Sequence, residues 1–264
     1  MDARHFFASG WIRFPYDDAI AHWAAQALPV AEVCVADTEQ RARWMRCGGT
    51  WFVGVHAFPN DARGSVPDAG VPPLEGLVID FIDTQLGLDT ALDRAQISAC
   101  FPGYPQPSAD EPAAAFRFRR DRDGAHVDGF RRAEGGRRRL GELHGCILGV
   151  PLTDAPADAA PLVVWDGSHE IMRRALRTRL ADVAPVHWQE QDVTDAYVAA
   201  RRECFEHCRR VAVHARPGEA YVIHRLALHG MAPWTAPMTG SRIVAYFRPD
   251  PRPPGAEEEW LYAN

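Results

Sequence analysis

The feature that most limits the fold is a change of period at Gln96. Before it, apolar residues recur three and four apart. Asp17 is placed to cap a helix that runs through Ile20, Trp23 and Leu28 and stops at Pro29. Residues 65–73 are a Pro- and Gly-rich loop, and Leu74, Val78, Phe81, Ile82 and Leu86 return to helical spacing. After Gln96 come short runs bounded by turn residues, at 96–101, 115–119, 143–152, 162–165, 211–215, 220–223 and 241–247. Between Ser168 and Arg210 a helical stretch intervenes, its second half opened by Asp192 with Tyr197, Arg201, Cys204, Phe205 and Cys208 on one face. Many short strands of irregular spacing predict a β sandwich or barrel. The expected organisation is one domain over 1–264. Residues 1–94 are mostly helical support, 95–250 a β core with a helical insertion at about 169–210, and 251–264 a tail.

Composition removes several chemistries. All 29 basic residues are arginine and none is lysine. A phosphate-binding P-loop needs a lysine, and so does Schiff-base catalysis. The 35 acidic residues give a net charge of −6, which argues against a nucleic-acid or anionic-membrane partner. The most apolar stretch, 19–36, is interrupted by His22, Gln26, Pro29 and Glu32, and the N-terminus lacks the apolar centre of a signal peptide. The sequence therefore reads as soluble and cytoplasmic. The six cysteines form no C-x-x-C pair, and Cys204 and Cys208 read as core residues on the helical stripe rather than metal ligands.

Two segments carry chemistry. His126-Val-Asp128-Gly129 puts an imidazole and a carboxylate two apart, on one face of an extended chain. Chance alone supplies roughly one such pair in a chain of this composition, so the motif needs company. The company is His224 and His229 in a second strand region, followed by Arg242 on the run Ser-Arg-Ile-Val-Ala-Tyr-Phe. Two histidines and one carboxylate with open positions is the set that non-haem Fe(II) uses with O2. A buried arginine can hold a carboxylate with two parallel hydrogen bonds. His224 and His229 are five apart, so an unbroken strand would point them to opposite faces.

In this order the motifs resemble those of the phytanoyl-CoA dioxygenase family of Fe(II)/2-oxoglutarate oxygenases. The likeness covers about 96–249: His126-Val-Asp128-Gly129, then Gly145 through Asp154, then Pro161 to Trp165 with Gly167-Ser168-His169, then Leu228-His229-Gly230, then Arg242. Phe6-Phe7 before Trp11-Ile12 is similar to the family's start, where an aromatic pair leads into a first strand. The resemblance implies a double-stranded β-helix, a jelly-roll barrel with helices outside. It implies Fe(II) on His126, Asp128 and His229, 2-oxoglutarate on Arg242, O2 as co-reactant, and C–H oxidation of a small organic molecule with release of succinate and CO2. Related halogenases lack the carboxylate that Asp128 supplies, so Asp128 favours hydroxylation, desaturation or another hydrogen-abstraction outcome. Two departures concern the cosubstrate: Met231 and Pro233-Trp234 stand where the family often has small polar residues.

Around this centre, His224 and His169 read as structural, the latter in a turn that shapes the rim. Arg117 and Arg119 alternate with Phe116 and Phe118 and would share one face of a strand, as a funnel for an anionic substrate. Trp165, Trp188 and Trp234 are candidate walls, and the helical insertion a candidate lid. Residues 48–60 are too aromatic for an ordinary loop and should pack on the barrel. A Zn or Mn hydrolase or lyase on the same three ligands, or a non-catalytic binding barrel, are the competing readings.

Overall fold

In the computed structural model, which describes residues 3–88, 91–109, 111–249 and 257–262, the chain opens with α1 (Ala3–Ser9), β1 (Trp11–Phe14), α2 (Asp18–Ala36), α3 (Thr38–Trp44), β2 (Met45–Arg46) and β3 (Trp51–Phe52). Then come α4 (Leu77–Gln85), β4 (Gln96–Cys100), α5 (Ala113–Asp121), β5 (Phe130–Arg132), β6 (Arg138–Leu140), β7 (Cys146–Pro151) and β8 (Leu162–Trp165). The remainder is α6 (Ser168–Leu180), α7 (Thr194–His207), β9 (Arg210–Val213), β10 (Ala220–His224), β11 (His229–Met231), β12 (Arg242–Phe247) and α8 (Glu257–Tyr262).

Seven strands form one antiparallel sheet in the order β1-β10-β7-β12-β4-β3-β2, and three form a second in the order β11-β8-β9. Alternation along the strands shows how they stack. On β8, Leu162 and Val164 pack with Ile147, Tyr221, Ile223 and Val244 of the large sheet, while Val163 and Trp165 face the other way. On β12, Val244 faces the small sheet, whereas Ile243, Ala245 and Phe247 join a core with Trp23, Phe58 and Phe81. The molecule is thus four layers: N-terminal helices, large sheet, small sheet, C-terminal helices. This is a mainly β jelly-roll sandwich with helices outside. Among the described residues the two sheets are not hydrogen-bonded into a closed barrel.

Several local expectations need correction. Helix α2 runs through Pro29 instead of stopping there. Proline removes one backbone hydrogen bond, but the buried stripe Ile20, Trp23, Ala24, Ala27, Ala31 and Val35 continues past it, and packing wins. By length and composition α2 could cross a membrane. In the structure its apolar face is spent on the protein's own core, with Trp23 fully buried. Residues 115–119 are helix, not strand: the two-residue alternation of Phe and Arg is overruled by the Ala113-Ala-Ala start behind Pro112. The first ninety residues also supply three strands of the large sheet. Among them, Trp51 and Phe52 pair with Cys100 and Ala99, so the aromatic segment does extend the β core.

The helical stretch after Ser168 does not reach over a cavity. α6 and α7 bury Met172, Leu176, Tyr197, Ala200 and Cys204 against Val163, Trp165, Leu226 and Leu228, on the outer face of the small sheet. The lid expectation fails for that reason. Trp188 lies in the same cluster, its indole N–H donating to Val183.

Candidate metal centre

The site is built where two chain segments hold each other. His126 and His229 exchange backbone hydrogen bonds, His126 N–H to His229 O at 2.8 Å and His229 N–H to His126 O at 2.9 Å. Because His229 pairs with Val164 on its other side, this bridge adds a short segment alongside the β11 edge of the small sheet. Val127, between the ligand candidates, is buried, and its N–H donates to the Tyr197 hydroxyl at 3.1 Å. By alternation His126 and Asp128 then face the opposite side, into the molecule's cavity. Arg210 clamps the start of the segment through two hydrogen bonds to Asp123, at 2.7 and 2.8 Å. Gly230 is required beside the bridge, since a Cβ there would lie 2.3 Å from the Asp123 carbonyl oxygen. Gly129 has φ +84°, and a Cβ on it would meet Glu142 O at 2.5 Å.

His126 Nε2 lies 3.1 Å and His229 Nε2 3.7 Å from Asp128 Oδ1, with all three ligand atoms within 4.8 Å of one another. Each imidazole is oriented from behind. His126 Nδ1 is 2.9 Å from Gly124 O, and His229 Nδ1 is 3.0 Å from Ala227 O. A carbonyl accepts only, so each Nδ1 carries a proton, and Nε2 is left as the atom that gives a metal its lone pair; on His126 that means exchanging the proton it donates to Asp128 for the ion. This is the preparation a divalent metal needs. Burial pushes His229 down to about 4, so it is neutral near pH 7. Burial works against ionising Asp128, but the Arg248 guanidinium and the His126 hydrogen bond overcome it and hold the carboxyl well below its usual range. The donor set fits a facial two-histidine, one-carboxylate metal site.

A cavity of about 340 Å³ opens beside these three residues. Trp51, Val53, Val55 and Tyr104 line one side, and Gln96, Ser98, Met231, Tyr246 and Arg248 others. The polar stripe has a simple origin. Gln96, Ser98 and Cys100 alternate on β4 with Ile97 and Ala99, which face the core. Opposite Cys100 in the register stands Arg242.

Arg242 is buried and does not itself line this cavity; its neighbours Met231 and Tyr246 do. Its guanidinium lies 3.4 Å from Tyr246 Oη, 3.5 Å from Tyr221 Oη and 3.9 Å from Met231 Sδ, and it has no carboxylate partner among the described residues. Burial opposes its charge, yet Tyr246, Tyr221 and Cys100 more than offset that and its pKa is raised. A charged guanidinium in such a place needs an anion.

The other sequence candidates divide. Arg119 lines the cavity but is ion-paired to Glu111. Arg117 is exposed, because positions two apart on a helix diverge. Trp165 packs on Phe205 under α7, away from the cavity. Trp234 is buried with Cys47, Cys100 and Tyr104, and its indole donates to Ala236 O and Pro237 O. His224 ends β10 in the large sheet and lies 3.0 Å from Arg173, while His229 begins β11 in the small one. The two are therefore separated by a change of sheet, not by alternation on one strand. His169 is buried in the first turn of α6 against Phe7 O, not at the rim.

Sequence reading missed Arg248, whose Nε donates to Asp128 Oδ2 at 2.8 Å. It also missed Trp51, Val53 and Val55 as walls, although their alternation with Phe52 and Gly54 was a usable signal.

No protein-family model matches the chain, and no curated protein does. Solved structures do. The non-haem α-ketoglutarate-dependent carbocyclase SnoK from nogalamycin biosynthesis is 15% identical, with 94% of this chain and 85% of that one covered, at a TM-score of 0.52. AviO1 from Streptomyces viridochromogenes Tue57 is 17% identical, covers 95% of both chains and scores 0.48. EctD from S. alaskensis with bound Fe is 16% identical, with 94% and 75% covered, and scores 0.46. At these identities the likeness to SnoK is one of fold.

Proposed function

We propose that this protein is an Fe(II)- and 2-oxoglutarate-dependent oxygenase of the phytanoyl-CoA dioxygenase kind, a single oxygenase unit over its 264 residues. Its reaction is hydroxylation of an unactivated C–H bond in a small organic substrate, with release of succinate and CO2. The observation that carries the reading is the pairing of two features in one interior. Two imidazoles locked with Nε2 toward Asp128 Oδ1 stand near a buried guanidinium that lacks a carboxylate. A hydrolase using Zn or Mn has use for the first feature and none for the second. SnoK, of like fold, is described as α-ketoglutarate-dependent, which agrees with this reading.

In this reading His126, Asp128 and His229 hold the metal, and the metal with its cosubstrate supplies the oxidising power. The protein's own residues do the rest. The carbonyls of Gly124 and Ala227 fix the imidazole tautomers. Arg242 receives the distal carboxylate of 2-oxoglutarate, with the Tyr246 hydroxyl beside it. Met231 stands between Arg242 and the cavity, and a thioether side chain has the rotamer freedom to move aside. Trp51, Val53 and Val55 keep water from the reacting carbon.

The test is anaerobic titration of the purified protein with Fe(II) and 2-oxoglutarate. A visible charge-transfer band that needs both components, and is lost in Asp128→Ala, is the expected result. A metal-loaded protein without that band would sink the oxygenase reading in favour of a hydrolase or lyase.

A further inference from the structure

The Asp128 carboxylate is used at both oxygens, and the second use is not accounted for by metal binding. Oδ1 faces His126 Nε2 and His229 Nε2, at 3.1 and 3.7 Å. Oδ2 is turned away and accepts from Arg248 Nε at 2.8 Å. Arg248 is itself fixed from behind. It follows directly on β12, whose last residue, Phe247, pairs with Leu148, and its backbone N–H donates to Asp93 Oδ1 at 2.6 Å. The guanidinium therefore approaches Asp128 from a rigid strand end, along one N–H direction.

We propose that Arg248 is a positioning residue that makes Asp128 a one-oxygen ligand. An unrestrained carboxylate rotates about its Cβ–Cγ bond and can give a metal both oxygens. The second oxygen would then occupy a position that cosubstrate or O2 requires. With Oδ2 engaged by Arg248, only Oδ1 is available and its direction is set before metal arrives. Removing such an outer partner typically costs 10–100-fold in metal affinity. This inference rests on the metal-site reading of the three residues.

Two substitutions isolate the N–H. Counting bonds from Cα, methionine places a methyl carbon where arginine has Nε, and glutamine places its amide nitrogen there. Arg248→Met thus keeps the stem and loses the donor, while Arg248→Gln keeps a donor and loses the charge. Arg248→Lys keeps the charge but places its donor nitrogen one bond further out than Nε. The measurement is Mn(II) affinity by EPR of the free ion, with the melting temperature of the metal-free proteins recorded alongside. We expect R248M to bind Mn(II) about 10–100-fold more weakly than wild type and R248Q to stay within about threefold of it. R248M within twofold of wild type overturns the proposal, as does equal weakening of R248M and R248Q. If R248M does not fold, R248K decides: affinity restored by lysine and not by glutamine shows that charge, not direction, is at work, whereas restoration by glutamine upholds the proposal. Wild-type protein that fails to bind Mn(II) or Fe(II) removes the metal reading itself, an outcome distinct from either failure of Arg248.

Discussion

At the scale of single residues, hydrogen-bond inventory decides most roles. Tyr221 Oη lies 2.8 Å from Tyr246 Oη, and Arg242 can only donate to both. If Tyr221 donates, the Tyr246 oxygen is an acceptor and its own hydrogen is free for a carboxylate in the cavity. Tyr246→Phe should therefore weaken 2-oxoglutarate binding about tenfold or more, since hydrogen bonds to charged groups contribute about 1.5–3 kcal/mol. Isothermal titration of the Mn(II)-loaded variant checks this, and unchanged affinity would remove Tyr246 from the cosubstrate site. His126, Asp128 and His229, which the structure brings together, were legible through the family resemblance, since a His-x-Asp pair occurs by chance in a chain of this composition. Arg248 was not, because a lone arginine after a strand carries no local signal, and its contact with Asp128 spans 120 positions. The tryptophans misled for a related reason: an aromatic side chain serves a core and a cavity wall equally well, and only the strand's facing separates Trp165 from Trp51.

At the scale of elements, period was a good guide wherever a strand is covered on both faces. The runs at 96–101, 162–165 and 241–247 correspond to β4, β8 and β12 within a residue at each end. It failed where two signals competed. At 115–119 alternation lost to alanine helix propensity, and at Pro29 a breaker lost to tertiary packing. The three-residue strand β11 was too short to show any period, yet it carries His229. Its neighbour Gly230 offers a direct probe of the pairing. Gly230→Ala puts a methyl group against the Asp123 carbonyl, a backbone atom that cannot rotate away. We expect metal affinity to fall at least tenfold while the far-UV circular dichroism changes little, because only the edge of the small sheet must shift. Wild-type metal affinity in that variant would show that the bridge tolerates being spread.

At the scale of the whole molecule, apolar side chains such as Val164, Val213 and Val244 fill only part of the space between the two sheets, and the site's cavity opens beside them. The large sheet lines that cavity with Gln96, Ser98 and Tyr246, with Arg242 buried behind them, while its other face is mostly apolar. That asymmetry was only half visible in the sequence. The strands that form it lie up to 150 positions apart, and which face turns inward is settled by the helices that cover the other. A second cavity of about 480 Å³ adjoins the first, and Val55, Gln96, Asp128 and Arg248 line both. The reciprocal bonds between His126 and His229 have a thermodynamic corollary. The two imidazoles are brought together by strand pairing, so the chelate exists before any ion is present. Folding and loading are then separate equilibria, unlike a zinc finger, where one is the other. Exhaustive chelation should leave a cooperatively melting protein, and restoring metal at about 100 times its dissociation constant should add only about 2.7 kcal/mol, the mass-action amount. Thermal melts with and without chelator measure it, and a chain that unfolds on chelation would contradict it. The entropy of gathering the ligands is charged to the fold, and the ion's own binding energy is left for affinity.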